Sequence, residues 1–373
     1  MRTELKVGIA GEPRGRSFAD ACKPFAGVKV TAICDSNPEA LAKAKADLGG
    51  IETFMDFEEM VKTDLDVIVV ATPQNLHAPM CIRAMEEGKH VLSEVPAAVD
   101  LDQCAALVRA VRSTGKTYMM AENYCYRKPN VLVRELARRG FFGQMYFGEG
   151  EYIHDVKELN EATPWRRRWQ TGINGNTYPT HSLGPLLQWT GERVVAVSCS
   201  GSGHHYADAH GRPYENEDTT TTLCRLSGGG LIVLRLDMLS ERPHNLTYYS
   251  LQGTKGCYEA PRGLGDQPKI WLMDFHDRRE AHWHSLWEFE KEYMPEMWRN
   301  PPEEAKRAGH GGGDFFEVLD FLNAIKSGAP PPIDVYAALD FTVPGLISQQ
   351  SIVQGGQWLA APDFRVSSSQ EAY

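Results

Sequence analysis

Glycines cluster near the start of the chain in the run Gly8-Ile9-Ala10-Gly11-Glu12-Pro13-Arg14-Gly15. Glycines between a strand and a helix let the backbone approach a pyrophosphate, whose charge the helix N-terminus stabilises. Glu12-Pro13 stands where the usual fingerprint has its second glycine, and a helix is predicted from Ser17. A plain tight turn is the alternative. The residues of this turn predicted to bind a cofactor are Gly8, Gly11, Arg14 and Gly15.

Asp35 ends the second predicted strand, 24 residues after Gly11. A carboxylate there can hold both ribose hydroxyls of an adenosine and repels a 2′-phosphate, which favours NAD over NADP. Arg14 or Arg16 keeps NADP open as the alternative.

Two further loops follow predicted strands, at residues 71–77 and 93–97. The carboxyl ends of parallel strands form the ligand crevice of an open sheet, so we expect these loops on the nicotinamide side. For His77 a helix cap is the alternative reading. The predicted cofactor contacts are Thr72, Asn75, His77, Glu94 and Pro96.

The elements that carry these loops alternate between strand and helix. Strand-like apolar runs lie at Lys6–Ala10, Val28–Cys34, Val67–Ala71, His90–Ser93 and Thr117–Ala121, and helical patterns at 38–48, 76–87 and 101–113. This alternation predicts an α/β fold with a doubly wound parallel sheet, a Rossmann domain over residues 1–122.

Longer, alternating, aromatic-rich strands follow, at 145–153, 194–200, 219–226, 230–238 and 246–252. They predict an α+β domain over residues 123–373 with an open, mostly antiparallel sheet and helices near 315–326 and 336–353. This domain would bind substrate, and its broad sheet face predicts a homo-oligomer, a dimer or tetramer.

Charge and composition exclude several classes of partner. Lys plus Arg is 39 against 49 Asp plus Glu, a net charge of −10, which disfavours nucleic acid and anionic membranes. No apolar run approaches a membrane span of roughly 18 residues, and the chain enters its first strand at once, so we expect a cytoplasmic protein. The eight cysteines are scattered without a CxxC pair, as for free thiols in a reducing compartment.

In the order of its elements the chain resembles the superfamily of glucose-fructose oxidoreductase and inositol dehydrogenase. That superfamily has Glu-Lys-Pro after its fifth strand and a later DxxxH motif. Here Glu94-Val95-Pro96 has valine for lysine, and Thr177 stands for the aspartate while His181 remains. Valine has no group that takes a proton and threonine has no carboxylate, so ordinary alcohol dehydrogenation lacks two of its three groups.

Five segments together resemble the NAD-dependent glycoside hydrolases typified by alpha-N-acetylgalactosaminidase. They are Glu94–Ala97, Glu122–Arg127, Tyr152–Asp155, Thr177–Pro185 and His310–Asp314. The resemblance implies NAD as cofactor and adds Asn123 to its predicted contacts. The likeness is poor only at the glycine turn.

The resemblance implies a hydrolysis that consumes no NAD. Oxidation of the sugar at C3 makes a ketone, which acidifies the C2 proton; loss of that proton expels the glycosidic oxygen, water adds, and the hydride returns. On this chemistry Tyr178 and His181 are the predicted catalytic residues, with Tyr178 as the C2 base and His181 at the 3-hydroxyl or leaving group, or the reverse. A phenol with a pKa of about 10 needs a nearby positive charge for this role.

Further residues are predicted to bind the sugar. His154 and Asp155 end a strand of the second sheet, Tyr126 and Arg127 follow strand six, and His310 precedes three glycines. Alternatively, His154 and Asp155 lie in a surface loop, and Tyr126 packs in the core beside a surface charge at Arg127. For the turn at His310, the alternative is that it serves only to let Asp314 cap the following helix.

Arg166-Arg167-Arg168, between two tryptophans, could bind an anionic substituent such as a sulfonate, with Arg166 as the predicted contact. A solvated charge run is the alternative. His276, His282 and His284 have spacings that a metal could use, but no close carboxylate or cysteine completes a shell, so no metal is expected.

The sequence thus predicts an NAD-dependent glycosidase acting on a small glycoside, either an alpha-N-acetylgalactosaminide or a sulfoquinovoside. The alternatives are an NAD-dependent sugar dehydrogenase that releases a keto-sugar, and a cofactor-binding protein without catalysis.

Overall fold

The computed structural model describes residues 4–243, 246–279 and 282–366. The chain divides into two compact units. The first takes in the chain up to Tyr126, Pro302–Leu339 and the C-terminal residues from Phe364; the second is Arg127–Pro301 with Asp340–Asp363.

The first unit is built on a six-stranded parallel sheet of order β3-β2-β1-β4-β5-β6, which confirms the predicted Rossmann architecture. Its strands are β1 Leu5–Ala10, β2 Val28–Cys34, β3 Glu52–Phe54, β4 Val67–Val70, β5 His90–Ser93 and β6 Tyr118–Met120. Its N-terminal helices are α1 Glu12–Cys22, α2 Pro38–Leu48, α3 Phe57–Val61, α4 His77–Glu86 and α5 Leu101–Thr114. Strand β4 is buried at every position, as a central strand covered on both faces requires.

Local chemistry explains where the first helices begin. Helix α2 starts after Asn37, whose side-chain oxygen accepts a hydrogen bond from the amide of Glu39 at 2.9 Å. Helix α1 starts at Glu12 rather than at the predicted Ser17. Pro13 lies in its first turn, where the fixed φ of proline favours a helix and its missing N–H costs nothing.

The second unit is built on a nine-stranded sheet of order β14-β13-β12-β11-β7-β10-β9-β8-β15. Its strands are β7 Met145–Ile153, β8 Val194–Gly201, β9 Thr219–Leu226, β10 Leu231–Asp237, β11 Thr247–Gly253, β12 Gly256–Glu259, β13 Lys269–Leu272, β14 His284–Ser285 and β15 Leu359–Ala360. Strands β7 and β10 pair in parallel, and the other pairs are antiparallel. The predicted open, mostly antiparallel sheet is therefore confirmed.

Helices of the second unit lie before β7, between β7 and β8, and after β14. They are α6 Lys128–Arg138, α7 Lys157–Ala162, α8 Pro164–Trp169, α9 Thr180–Thr190, α10 Glu290–Tyr293 and α11 Glu296–Arg299. None of the helices in the described residues is both long and apolar enough to span a bilayer.

A late segment of the chain returns to the first unit. It contains α12 Glu303–Arg307, α13 Gly313–Ser327 and the start of α14 Val335–Val353. Helix α13 packs on α1, with the rings of Phe25 and Phe315 stacked at 4.9 Å. The sequence predicts one domain boundary, at residue 122, and does not predict that Pro302–Leu339 belong to the first unit. The contacts between α1 and α13 join segments about 300 residues apart, which local sequence patterns do not show.

Candidate functional site

The turn between β1 and α1 fits a bound dinucleotide. Gly11 has φ +93°, and a Cβ there would lie 2.4 Å from the carbonyl oxygen of Ala71, so only glycine fits. A Cβ at Gly15 would meet Ile9 Cγ2 at 2.4 Å, so this glycine lets α1 pack closely on β1. Gly8 lies inside β1, where a Cβ would meet Leu65. The first amides of α1 therefore open directly at the carboxyl edge of the sheet, where a pyrophosphate binds in this fold.

Asp35, the predicted ribose ligand, lies at the same edge. Its two carboxylate oxygens accept hydrogen bonds from the amides of Glu12 and Asn37, both at 2.8 Å, and each keeps a lone pair for a ribose hydroxyl. Arg16 is held by Glu12 at 2.7 Å and by Asp47 at 3.3 Å. Arg14 is also engaged by carboxylates, so neither arginine is left to neutralise a 2′-phosphate. The geometry supports NAD over NADP.

The loops after β4 and β5 are fastened to each other by His77. Its two ring nitrogens lie 2.8 Å from the carbonyl oxygens of Pro96 and Thr72. The ring is 1% exposed, and burial lowers its pKa. His77 therefore positions the two loops that hold Thr72, Asn75, Glu94 and Pro96 at the crevice, and its direct contact with a cofactor remains a prediction.

Asn123 offers an unused acceptor at this edge. It lies in the short 3₁₀ turn after β6 and is 4% exposed. Its side-chain oxygen is buried and accepts no hydrogen bond from any residue that the structure describes. An orphaned acceptor at the carboxyl edge of the strands fits a ligand amide, such as the carboxamide of nicotinamide.

Arg14 lies at the centre of a buried ionic network within the first unit. Its Nε donates to Glu94, while Nη1 and Nη2 donate to the two carboxylate oxygens of Asp314 at 3.0 and 3.3 Å. His310 Nδ1 lies 2.8 Å from Asp314 Oδ1. The predicted pocket residue His310 thus has a carboxylate that orients its ring, and its φ of +56° is rare outside glycine.

Charge in this network is unevenly distributed. Hydrogen bonds from His310 and Arg14 outweigh burial and lower the pKa of Asp314 to about 2. Glu317, one turn further along α13, is fully buried, and neither of its carboxylate oxygens has a hydrogen-bond partner among the described residues. Burial and the charge of Asp314 raise the pKa of Glu317 well above its usual range.

In the second unit, α9 lies directly on β7 because β7 has glycines there. A Cβ at Gly150 would lie 2.2 Å from the carbonyl oxygen of Ser182, inside van der Waals contact. The close approach places the first turn of α9, which carries His181, against the sheet. The hydroxyl of Tyr249, which is directly opposite Gly150 on the neighbouring strand β11, donates to the carbonyl of His181 at 2.5 Å and holds the turn on the same face of the sheet.

Four rings converge at this end of the sheet. The rings of Tyr178 and His181 lie 4.9 Å apart at 82°, and that of Tyr152 lies 5.4 and 5.1 Å from them. The Tyr152 hydroxyl lies 2.8 Å from His154 Nδ1 and forms a hydrogen bond with it. The structure thus brings together the two predicted catalytic residues and the predicted sugar ligand His154.

Tyr152 itself is not among the residues predicted from the sequence. It occupies an inward position of an alternating strand and is 7% exposed, which is the pattern of an ordinary core residue. The signal available was its place two residues before His154 at the end of β7. Imidazoles can take and return protons near neutral pH, and a phenol can do so where a positive charge lies close to it.

The segment before Tyr178 is held by polar side chains. Thr177 donates from its hydroxyl to the carbonyl of Gln170 at 2.7 Å, so it anchors the backbone where the superfamily has an aspartate. Asn216 donates from Nδ2 to the carbonyls of Ile173 and Gly175 at 2.9 and 2.8 Å. These contacts fix the approach to α9.

Two predicted sugar ligands have side-chain or backbone partners, and a third lines a cavity. Asp155 is exposed, accepts from the amide of Lys157 and forms an ion pair with its ammonium, both at 3.0 Å. Tyr126 is 2% exposed and donates to Asp320 at 2.9 Å within the first unit. Arg127 belongs to the second unit and lines a cavity there. Sugar binding by these residues remains a prediction.

The arginines of α8 are mostly engaged. Arg166 lies over Trp165 at 4.3 Å and donates to Gln170 at 3.3 Å. Arg167 is paired with Glu215 and lies over Tyr214. The predicted anion contact at Arg166 therefore gains no support from the geometry.

One histidine cluster has ligand atoms close enough for a metal ion. His276, His284 and Glu288 place one such atom each within 4.8 Å of the others. However, the two imidazoles stack at 3.6 Å, and His276 Nδ1 accepts a hydrogen bond from the amide of Leu272 at 2.9 Å. This bond places the proton of a neutral His276 on Nε2, the nitrogen that a metal would need.

Known protein families match both parts of the chain. Residues 5–122 match the model of the oxidoreductase family with an NAD-binding Rossmann fold, and residues 126–370 match the C-terminal domain of glycosyl hydrolase 109. A glycosyl hydrolase family 109 protein of Saccharopolyspora erythraea is 33% identical over 96% of this chain and 83% of its own. A Shewanella oneidensis protein named alpha-N-acetylgalactosaminidase is 30% identical over 96% of this chain and 85% of its own.

Solved structures show the same fold. An NAD-binding oxidoreductase from Klebsiella pneumoniae superposes with a TM-score of 0.81 at 20% identity, covering 97% of this chain and all of that one. Levoglucosan dehydrogenase, solved with NADH and levoglucosan, has a TM-score of 0.80 at 22% identity, covering 96% of this chain and all of that one. With an NAD-binding Rossmann domain and a C-terminal domain of this type, the chain belongs to glycosyl hydrolase family 109, as an NAD-dependent glycosidase.

Proposed function

We propose that the chain hydrolyses a small alpha-N-acetylgalactosaminide by transient oxidation at C3, elimination and addition of water. The observation that carries the proposal is the cluster of Tyr152, His154, Tyr178 and His181, whose neighbouring rings lie 4.9 to 5.8 Å apart. The name of the Shewanella oneidensis relative supports this choice of sugar.

Residues of the first unit would hold the cofactor. The amides after Gly11, the carboxylate of Asp35 and the side-chain oxygen of Asn123 suit a pyrophosphate, a ribose and a carboxamide respectively. Bound there, NAD would supply the acceptor and the donor of the hydride at C3 of the sugar.

Proton transfers fall to the second unit. His181 takes the proton of the 3-hydroxyl as hydride leaves C3. Tyr178 takes the proton from C2 while the bond between C1 and the glycosidic oxygen breaks, and His181 passes its proton to that oxygen. Water then adds its hydroxide to C1 and its remaining proton to His181, Tyr178 gives C2 a proton that has exchanged with solvent, and His181 returns a proton to the oxygen at C3 as the hydride comes back, so that the bonds and charges balance. The reverse assignment of the two residues uses the same atoms. The Tyr152–His154 pair gives a second route for a proton at the same place.

Two positions argue against a sugar dehydrogenase that releases its ketone. Val95 is buried and has no titratable group, and the Thr177 hydroxyl is committed to Gln170. A sulfonated sugar is not part of the proposal, because Arg166 and Arg167 are already engaged.

A single assay tests the proposal. The enzyme is mixed with nitrophenyl alpha-N-acetylgalactosaminide, and nitrophenol and reduced nicotinamide are followed together by absorbance. We expect steady release of nitrophenol without accumulation of NADH, and loss of activity when the cofactor is removed. Stoichiometric NADH would instead identify a dehydrogenase.

A further inference from the structure

The ring of His77 faces two hydrogen-bond acceptors at once. Its nitrogens each lie 2.8 Å from a backbone carbonyl oxygen, Nδ1 from that of Pro96 and Nε2 from that of Thr72. A carbonyl oxygen can only accept, whereas a neutral imidazole has one N–H group and one bare lone pair. In a neutral ring, one of the two carbonyls would therefore face a lone pair at hydrogen-bond distance. The doubly protonated imidazolium is the form that donates to both.

A carboxylate lies close enough to favour that charged form. Glu94, two residues before Pro96, is 9% exposed, and its Oε2 accepts a hydrogen bond from the amide of Val95 at 3.0 Å. Burial opposes the charge of Glu94, but Arg14, the Val95 amide and a protonated His77 together lower its pKa. The anionic Glu94 acts on His77 in return and raises the pKa of the imidazole.

Burial of the ring works in the opposite direction. It is the largest influence on His77 and lowers its pKa from the ordinary value of 6.5, against the two carbonyls and Glu94. Arg14 of α1 is engaged by Glu94 and Asp314, and Cys81, one turn after His77 on α4, is a neutral thiol because burial raises its pKa to about 12. The second proton of the ring therefore comes and goes in mildly acidic solution.

The two contacts of the ring differ in what can replace them. The contact with Pro96 is buried, whereas the contact with Thr72 is partly exposed. A buried carbonyl that loses its donor pays the full cost of desolvation, while a partly exposed carbonyl can turn to water. A ring that has lost one proton should therefore keep the other on Nδ1, towards Pro96, and release Thr72.

Release of Thr72 would be felt at the turn that binds the pyrophosphate. A Cβ at Gly11 would lie 2.4 Å from the carbonyl oxygen of Ala71 and 2.9 Å from the amide nitrogen of Thr72, so the two backbone segments touch. We propose that His77 is a positioning residue that acts as an imidazolium. Its two N–H groups hold the loops after β4 and β5 in the arrangement that binds NAD, and loss of one proton weakens that binding. This inference concerns cofactor binding and is independent of the proposed hydrolysis.

NAD should accordingly bind more tightly to the protonated protein. Its affinity falls as the pH rises through the pKa of His77, which lies below 6.5, and binding takes up protons in that range. We expect the Kd of NAD to be about fivefold higher at about pH 8 than at about pH 5, the worth of one hydrogen bond. Titration calorimetry of the wild type in two buffers of different ionisation enthalpy measures both the affinity and the proton uptake.

Nitrogen NMR reports the state of the ring directly. Long-range proton–nitrogen spectra of protein with isotopically labelled histidine distinguish an imidazolium from the two neutral tautomers, and the signal missing from His77→Gln identifies the ring. We expect both nitrogens to carry protons at the acid end of the range and Nδ1 alone at the alkaline end. Addition of NAD should move the titration to higher pH.

Two variants separate this role from simple packing. His77→Gln does not titrate, so its affinity for NAD should be as low as that of the alkaline wild type and should not respond to the protonation step. His204→Gln, at an exposed position, is the matched control and should keep the wild-type profile. A ring that stays neutral throughout, or a neutral ring with its proton on Nε2, overturns the proposal. So does a wild-type affinity that is constant with pH, a result that needs no variant to fold.

Discussion

The guanidinium of Arg14 forks onto both carboxylate oxygens of Asp314, a residue 300 positions later in the chain. The carboxylate is completely buried, and His310 Nδ1 also hydrogen-bonds to it, at 2.8 Å. This contact ties the first helix of the Rossmann sheet to α13, so the residues that shape the cofactor crevice come from both ends of the sequence.

Replacement of Asp314 by Asn should destabilise the protein by about 3 kcal/mol, because it leaves the buried charge of Arg14 with Glu94 alone. Urea unfolding followed by tryptophan fluorescence measures the change. Asp274→Asn, at an exposed position, is the matched control and should alter stability by less than about 0.5 kcal/mol. Equal effects of the two substitutions would show that the contact between Arg14 and Asp314 adds nothing to the free energy of unfolding.

Stability should also depend on pH through the same carboxyl. The pKa of Asp314 is about 2 in the folded protein against an ordinary value of 3.8. The folded protein therefore binds a proton at this carboxyl less tightly than the unfolded chain does. Its contribution, about 2 kcal/mol, is complete above pH 4 and is lost as the pH falls towards 2. The slope of unfolding free energy between these values should be smaller in Asp314→Asn. An unchanged slope would assign the acid lability to other carboxyls.

Tyr178→Phe should lower turnover by about a thousandfold, because a phenyl ring packs in the same space but takes no proton. NAD should remain bound at wild-type affinity, which fluorescence of the reduced cofactor can measure. Full hydrolytic activity in this variant would remove Tyr178 from the mechanism.

Tyr152→Phe provides the corresponding test for the residue that sequence analysis missed. The substitution removes the hydrogen bond to His154 while keeping the ring contacts, so we expect turnover to fall by between tenfold and a hundredfold and its pH profile to shift. Tyr146→Phe on the same strand, where the ring is 47% exposed, is the control. If both variants hydrolyse substrate as the wild type does, Tyr152 serves packing alone.

Hydrolysis in heavy water should place deuterium at C2 of the released sugar. The proposed sequence removes the C2 proton and returns one that has exchanged with solvent, and proton NMR of the product detects the replacement. A product that carries only protium at C2 would point to direct displacement at C1.

Much of the first unit follows from local sequence patterns. The apolar run 67–70 and the Asn37-Pro38 helix start are decided by burial and capping, which act over a few residues. The start of α1 at Glu12 is harder to predict, because Pro13 stands where the fingerprint has its second glycine. A proline there also suits the first turn of a helix, which is the role that it has in the structure. The short strands β12, β13 and β14 carry too few alternating positions for a reliable pattern.

Contacts between distant segments account for most of what sequence patterns missed at the site. Nothing around Arg14 or Asp314 indicates that they meet, and the inward alternation of β7 disguises Tyr152 as a core residue. By contrast, Tyr178 and His181 lie together in Thr177–Pro185, one of the five short segments that carry the family resemblance. Proximity along the chain makes such a pair visible to sequence analysis.

At Gly150 the strand meets the carbonyl of Ser182 with no side chain between them. The position of the His181 imidazole, one residue before Ser182, is consequently set by this contact between two backbone segments. Substitutions of side chains elsewhere in the core leave that contact unchanged. Side chains that do not contact this turn can vary in size and polarity without displacing that ring. An enzyme arranged in this way can change the sugars it accepts over evolutionary time while its proton chemistry stays in register.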